Sequence, residues 1–159
     1  MTPFLPKALD NDYRGHVVAP WLLGPLLLLK LGMSVNSIFN GAYVASQADG
    51  LPLDAYPADA AKTIVSLFGL WGISHLALVM LGVLVLVRYR SALPLAFAGL
   101  LAEQLGRKAV VHFHPIASVQ TSVGGPVTTT LYALMISGLV LSLWPRPSRA
   151  AEGDATRDA

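Results

Sequence analysis

The stretch LPLAFAGLLAEQLGRKAVVHFHP, residues 93–115, decides the fold of this chain. It begins as an apolar run that is typical of a membrane span. It then carries polar residues at positions that would lie in the hydrocarbon core of the membrane: Glu103, Gln104, Arg107 and Lys108. A helix rises about 1.5 Å per residue, so a membrane span takes about 20 residues and Glu103 falls near the middle of this one. A charge at that depth costs at least about 2.5 kcal/mol to insert, so the stretch predicts a site or an internal ion pair.

The composition of the 159-residue chain indicates a membrane protein. Hydrophobic residues make up 54% of it and charged residues 13%, whereas a soluble domain has about 25% charged residues. Four long apolar runs carry the excess and leave room for one membrane domain. The chain has no cysteine, which excludes disulfides, thiolate catalysis and cysteine-ligated metal centres.

The apolar runs predict an all-α, polytopic membrane protein built as a four-transmembrane-helix bundle. The membrane domain is expected to cover residues 17–144, with spans at about 20–43, 58–87, 93–114 and 127–144. Residues 1–16 are expected to form a loosely ordered cytoplasmic arm. Residues 145–159 have the composition of a disordered cytoplasmic tail. Membrane lipids are therefore expected partners.

Basic residues outside the spans determine the predicted orientation. In a four-span arrangement they gather on one side: Lys7, Arg14, Arg88, Arg90, Arg146, Arg149 and Arg157. The other side has only Lys62. The positive-inside rule places both termini in the cytoplasm, and the expected location is the inner (plasma) membrane of a bacterium. Because no basic patch is interleaved with aromatic residues, no nucleic-acid partner is expected.

Polar residues concentrate in the half of the spans that faces away from the basic loops. The sequence predicts that they line a cavity that opens to the outer side: Lys30, Asn36, Ser37, Asn40, His75, Glu103, Gln104, Arg107, His112, Thr128 and Tyr132. Lipid-facing helices have no reason to turn polar in the same half of the membrane. These residues are therefore the candidate ligand-binding site.

Helical periodicity predicts which faces pack together. The stripe Lys30, Ser34, Ser37 and Gly41 is expected to face protein or water. On the second helix, Gly72 and Gly82 share the face of His75 and should let another helix approach closely.

Glu103 is the only acidic residue within the long apolar runs. An unpaired carboxylate in hydrocarbon is costly, so an ion pair with Arg107 one turn on, or with Lys30 across the bundle, is expected. Lys30 has a second option, because its long stem could carry the ammonium to the inner head groups. His75 is interpreted either as a satisfied core histidine or as a proton-transfer group.

No metal site is predicted, because His112 and His114 are two residues apart and point to different faces of a helix. No cofactor is identified. The chain also lacks the phosphate-binding glycine loop, the nucleophile elbow and the zinc-protease motif of well-known enzyme classes.

Three functional hypotheses follow. The adopted one is a small membrane protein that binds or transports a small polar or anionic ligand, with Arg107 and Lys108 attracting charge and Glu103 handling a proton. The bundle is thin for a transporter, so a homodimer or a larger membrane complex is expected. The second is an enzyme acting on a lipid or quinone head group through Glu103 and His75 as acid and base. The third is an accessory or assembly subunit whose buried charges only set helix register.

Overall fold

The computed structural model describes residues 8–13, 15–115 and 124–144, and all regular structure within these ranges is helical. Four long helices dominate: α1 (Val18–Phe39), α2 (Ala58–Arg88), α3 (Leu93–Phe113) and α4 (Gly124–Leu143). Among the described residues, α1, α2 and the Gly125–Leu143 part of α4 are long and apolar enough to cross a membrane. The predicted all-α class and membrane association are confirmed to this extent.

Helix α3 is as long as a span but less apolar than the other three. Its 21 residues would cover about 30 Å at about 1.5 Å per residue. Glu103, Arg107 and Lys108 lower its hydropathy, so α3 is not among the helices that composition alone assigns to the membrane. The count of four spans and the side of the termini therefore stay predictions.

The ends of the helices follow from local sequence. Helix α2 begins after Pro57, whose extended backbone precedes the first turn, and Asp59 in that turn suits the positive end of the helix dipole. Helix α3 has Pro94 in its first turn, where a missing N–H is harmless. The predicted first helix extended to residue 43, but α1 ends at Phe39.

The early end of α1 lies at Asn40. There the backbone leaves the helical region (φ −124°, ψ 38°), and the Asn40 side-chain amide donates to Asn36 Oδ1 at 2.9 Å. Asparagine is a poor helix former, so Asn40 suits a helix end. The chain then continues as a short turn, Gly41–Tyr43, and a wider π-helical turn, Val44–Ala48.

Helix α1 occupies the centre of the packing. It lies against α2 and α4, while α3 packs mainly on α4 and touches α1 and α2 less. The apolar core comes from α1, α3 and α4 and includes Leu23, Leu26, Leu27, Leu93, Phe97, Leu100, Leu131 and Met135. The side of α3 that faces α1 and α2 is thus left for polar contacts.

Two glycines of α2 bring α1 and α2 together, as the sequence predicts. A Cβ atom on Gly72 would lie 3.0 Å from the Ser34 carbonyl oxygen, and one on Gly82 would lie 2.5 Å from Leu27 Cδ2. The stripe Lys30, Ser34, Ser37 and Gly41 is buried. Both packing predictions for this interface are confirmed.

Gly138 of α4 is expected to be intolerant of a side chain. A Cβ atom there would overlap the ring of Phe97, which is fully buried. Gly138→Ala should therefore lower the free energy of unfolding by about 1–3 kcal/mol, measured by thermal unfolding in detergent. Gly99→Ala is the matched control, because nothing lies near its added methyl group and alanine favours a helix. Equal melting temperatures for Gly138→Ala and the wild type would contradict this packing.

Large apolar side chains cover the outside of all four helices. Examples from each helix in turn are Leu28, Leu70, Met80, Leu105, Val110, Phe113 and Ile136. Such a surface is costly in water but suits contact with lipid tails. Together with the three span-length apolar helices, it indicates a protein that resides in a membrane.

The described end of the N-terminal arm is held in place. Asp10 N–H donates to Ser91 Oγ at 3.0 Å, and Ser91 N–H donates to the Asp10 carbonyl at 3.2 Å. His16 N–H donates to the Leu141 carbonyl at 3.1 Å. These bonds join the arm to the turn between α2 and α3 and to the end of α4, whereas the sequence predicted loose order. Residues 1–7 and the predicted tail at 145–159 lie outside the described residues.

Candidate functional site

Three helices contribute one ionisable residue each to a polar centre, which we define as Lys30, His75 and Glu103. Lys30 Nζ of α1 lies 2.6 Å from Glu103 Oε2 of α3. His75 Nε2 of α2 lies 2.9 Å from Glu103 Oε1. The carboxylate thus uses each oxygen for a different helix.

The side chains of the polar centre are largely buried within the bundle, so their contacts matter for stability. The Lys30 side chain is 1% exposed and that of Glu103 18%, and His75 is buried. Lys30 therefore pairs across the bundle and does not extend towards the head groups. The prediction that Glu103 has an ion-pair partner is confirmed, and the partner is Lys30.

The polar centre joins α3 to the side of the bundle where it has few apolar contacts. Glu103 accepts a hydrogen bond from Lys30 Nζ and lies within hydrogen-bond distance of His75 Nε2. The centre can thus fix helix register, and it also places an imidazole ring against a carboxylate.

Arg107 lies one turn beyond Glu103 on α3 and stacks on an aromatic ring. Its guanidinium carbon is 3.8 Å from the centre of the Trp71 ring, and Trp71 meets the edge of the His75 ring at 4.8 Å between centroids. Stacking supports the flat face of a guanidinium and leaves its N–H groups directed outward. The Arg107 guanidinium forms no hydrogen bond or ion pair with any described residue.

Asp49, in the connection between α1 and α2, is a second carboxylate, after Glu103, that attracts the Arg107 guanidinium. Burial raises the pKa of the Asp49 carboxyl above its ordinary value, and attraction by Arg107 partly offsets that rise. The two side chains attract each other without forming an ion pair. Asp49 therefore moderates the charge of Arg107 and leaves its donors unoccupied.

Gln104 and Tyr132 meet where α3 packs on α4. The Tyr132 hydroxyl donates to the Gln104 backbone carbonyl at 3.1 Å. Gln104 is buried, and its side-chain Oε1 has no hydrogen-bond partner among the described residues. Lys108 lies on the neighbouring face, with its ammonium 5.8 Å from the centre of the Tyr132 ring.

The other predicted site residues lie apart from direct contact with the polar centre. Asn36 and Asn40 bond to each other at the end of α1, and Ser37 is buried against Gly72. His112 is exposed and meets the Phe113 ring, and Thr128 is half-buried. Within the described ranges, none of these five residues bonds to Lys30, His75, Glu103 or Arg107. Their role in binding a ligand stays a prediction.

Trp71 and Asp49 are the neighbours of the site that the sequence argument missed. Trp71 lies four residues before His75 and therefore on the same face of α2. That spacing is the signal that could have placed it at the site. Asp49 gives no such signal, because its position depends on the irregular connection after α1.

Among the described residues, no three histidine or acidic side chains come together as a metal site would require. Comparison with known protein families, curated proteins and solved structures finds no match for this chain.

Proposed function

We propose that this chain is a four-span membrane protein that binds a small anion, through a carboxylate or phosphate group, at Arg107. The observation that carries the proposal is the guanidinium stacked on Trp71 without a hydrogen bond or ion pair to any described residue. Its donors form a planar fork that matches the oxygens of carboxylates and phosphates. Desolvated polar groups without partners are costly, so an anion at this position would stabilise the site.

The contacts of Glu103 also support Arg107 as the anion-binding residue. Both of its oxygens are occupied, one by Lys30 and one by His75, so it is not free to turn towards Arg107. The charge of Arg107 is thereby available to a ligand.

The proposal includes α3 as the fourth span. Leu105, Val110 and Phe113 of α3 are exposed, whereas Gln104 is buried and Glu103 contacts α1 and α2. A helix with an apolar outer face and a polar inner face suits a position between lipid and the bundle. With α3 as a span, the bias in basic residues puts both termini in the cytoplasm and Arg107 in the outer half of the membrane.

Two wider predictions belong to the same proposal. A second copy of the chain or a larger complex would complete the thin bundle, and Gly106 of α3 is exposed with open space around it. Small residues of this kind suit helix pairing in membranes. The inner membrane of a bacterium stays the predicted location.

The second candidate function is an accessory subunit, and one observation favours it. Lys30, His75 and Glu103 satisfy one another, as buried charges that only fix register would do. The enzyme hypothesis rests on the contact between His75 and Glu103, in which a carboxylate could orient the imidazole as a base. Neither alternative explains the unpaired Arg107.

Trp71 fluorescence tests the proposal directly. With Trp21→Phe and Trp144→Phe, Trp71 is the single tryptophan left of three. The protein in dodecyl maltoside is titrated with acetate and with inorganic phosphate at constant ionic strength. We expect a saturable change in emission in the millimolar range, because the anion binds the guanidinium that stacks on the ring.

The same titration in phosphatidylcholine nanodiscs separates two sources of the anionic group. If a lipid phosphate occupies Arg107, the emission already differs before any anion is added and the response to free anions is lost. If the ligand is a free anion, the response persists in nanodiscs. The absence of a saturable response in micelles, with the same emission in both media, would overturn the proposal.

A further inference from the structure

Asp49 is held in place by the packed connection between α1 and α2. Its backbone N–H donates to the Val44 carbonyl at 3.1 Å, and the Leu51 N–H donates to the Ala45 carbonyl at 2.9 Å. Val44, Ala45 and Leu51 are buried. Gly50 has φ 72°, a left-handed backbone that favours glycine. The Asp49 carboxylate is thus presented from a turn whose apolar residues pack into the protein.

The Asp49 carboxylate has no bonded partner of its own. It is half-buried and forms no hydrogen bond or ion pair with a described residue. Among the described residues, the charged group that attracts it is Arg107, whose guanidinium is likewise without a hydrogen bond or ion pair. Residues 116–123, which the structure does not describe, include no charged side chain.

The two opposite charges attract each other without coming within salt-bridge distance. The carboxylate only accepts hydrogen bonds and the guanidinium only donates them. A plain anion would satisfy Arg107 but would be repelled by the negative charge of Asp49. A molecule with an anionic group and a cationic donor would satisfy both side chains at once.

We propose, on the basis of the anion site at Arg107, that the ligand is a small zwitterion with a carboxylate and an ammonium group, as in an amino acid. The ligand carboxylate accepts hydrogen bonds from the Arg107 guanidinium, and the ligand ammonium donates to the Asp49 carboxylate. Asp49 is thereby a second binding residue that selects zwitterions over simple anions.

Titrations with glycine and propionate test the assignment. The two molecules are close in size, and propionate carries a methyl group where glycine carries the ammonium. The protein with Trp71 as its single tryptophan is titrated in dodecyl maltoside, and the emission is followed. We expect a saturable response to both, with glycine bound at least about tenfold more tightly, the effect of one added charged hydrogen bond.

Asp49→Asn should remove this preference. The Kd for glycine should rise at least about tenfold, whereas propionate should bind at least as tightly as to the wild type, because the repelling charge is gone. The propionate response also verifies that the site of the variant is folded. Asp54→Asn is the matched control, since Asp54 is an exposed acidic residue of the same connection and should leave both affinities unchanged.

The outcomes separate the zwitterion from the anion site itself. The absence of a saturable response to either molecule would overturn both. Propionate binding as tightly as glycine, a preference for glycine that survives Asp49→Asn, or an equal effect of Asp54→Asn would overturn the zwitterion and leave anion binding at Arg107 in place.

A lipid head group with the same two charges is a second source of this chemistry. The glycine titration is therefore repeated in phosphatidylglycerol nanodiscs with and without phosphatidylethanolamine. A response in both media assigns the site to a free zwitterion, and a loss only with phosphatidylethanolamine assigns it to that head group. A loss in both media would overturn the role of Asp49, because a lipid without an ammonium group would then suffice.

Discussion

Glu103→Gln is expected to lower the free energy of unfolding by about 3–5 kcal/mol, the usual result of breaking a buried ion pair from one side. The change leaves the Lys30 ammonium, whose side chain is 1% exposed, without its carboxylate. It also removes the charged acceptor of the His75 ring. The loss is measured as a shift in thermal or denaturant unfolding in detergent.

The double variant Lys30→Met with Glu103→Gln separates pairing from other effects. Replacing a whole buried pair by neutral groups of similar volume is often neutral or stabilising. We therefore expect the double variant to regain most of the stability that Glu103→Gln loses, which a double-mutant cycle expresses as a coupling energy. A single Gln variant as stable as the wild type would show that Lys30 and Glu103 are not an energetically important pair.

Arg107→Gln is expected to have the largest effect on binding. One charged hydrogen bond contributes about 1.5–3 kcal/mol, so the affinity for acetate or phosphate should fall at least about tenfold. Stability in anion-free micelles should fall only slightly, because the guanidinium has no hydrogen-bond or ion-pair partner among the described residues and its removal costs mainly the stacking on Trp71. The Trp71 fluorescence titration measures the affinity, and thermal unfolding of the same sample measures the stability.

Lys108→Gln is the matched control for this effect. Lys108 carries the same charge on the next residue of α3, but it is exposed and lies over Tyr132. Its loss should change the affinity much less than the loss of Arg107. An equal effect of both variants would mean that general positive charge, and not a site at Arg107, produces the response.

Much of the helical arrangement could be predicted from the sequence, because it depends on local patterns. Long apolar runs placed the four helices within a few residues of their bounds, and the 3.6-residue period placed Lys30 and Ser34 on a buried face. The partner of Glu103 could not be chosen from the sequence, since Arg107 and Lys30 were both within reach. The packing of α1 against α3 decides it, and that packing is not encoded in any single segment.

Other features of the site depend on irregular backbone, which has no periodic signal. Helix α1 ends at Phe39, and the irregular backbone that follows takes the chain to Asp49 by a route that the sequence does not reveal. The stacking of Arg107 on Trp71 needs the exact register of α2 against α3.

The central claim, that Arg107 lies in the outer half of a membrane crossed by α3, is tested most directly by single-cysteine labelling. The chain has no cysteine of its own, so each substitution supplies the only thiol. Asp54→Cys, Arg88→Cys and His114→Cys are expressed in separate cells, which are treated with a membrane-impermeant maleimide before and after permeabilisation. We predict that Asp54→Cys and His114→Cys react in intact cells and that Arg88→Cys reacts only after permeabilisation. If Arg88→Cys and His114→Cys react from the same side, α3 does not cross the membrane and the proposed site loses its basis.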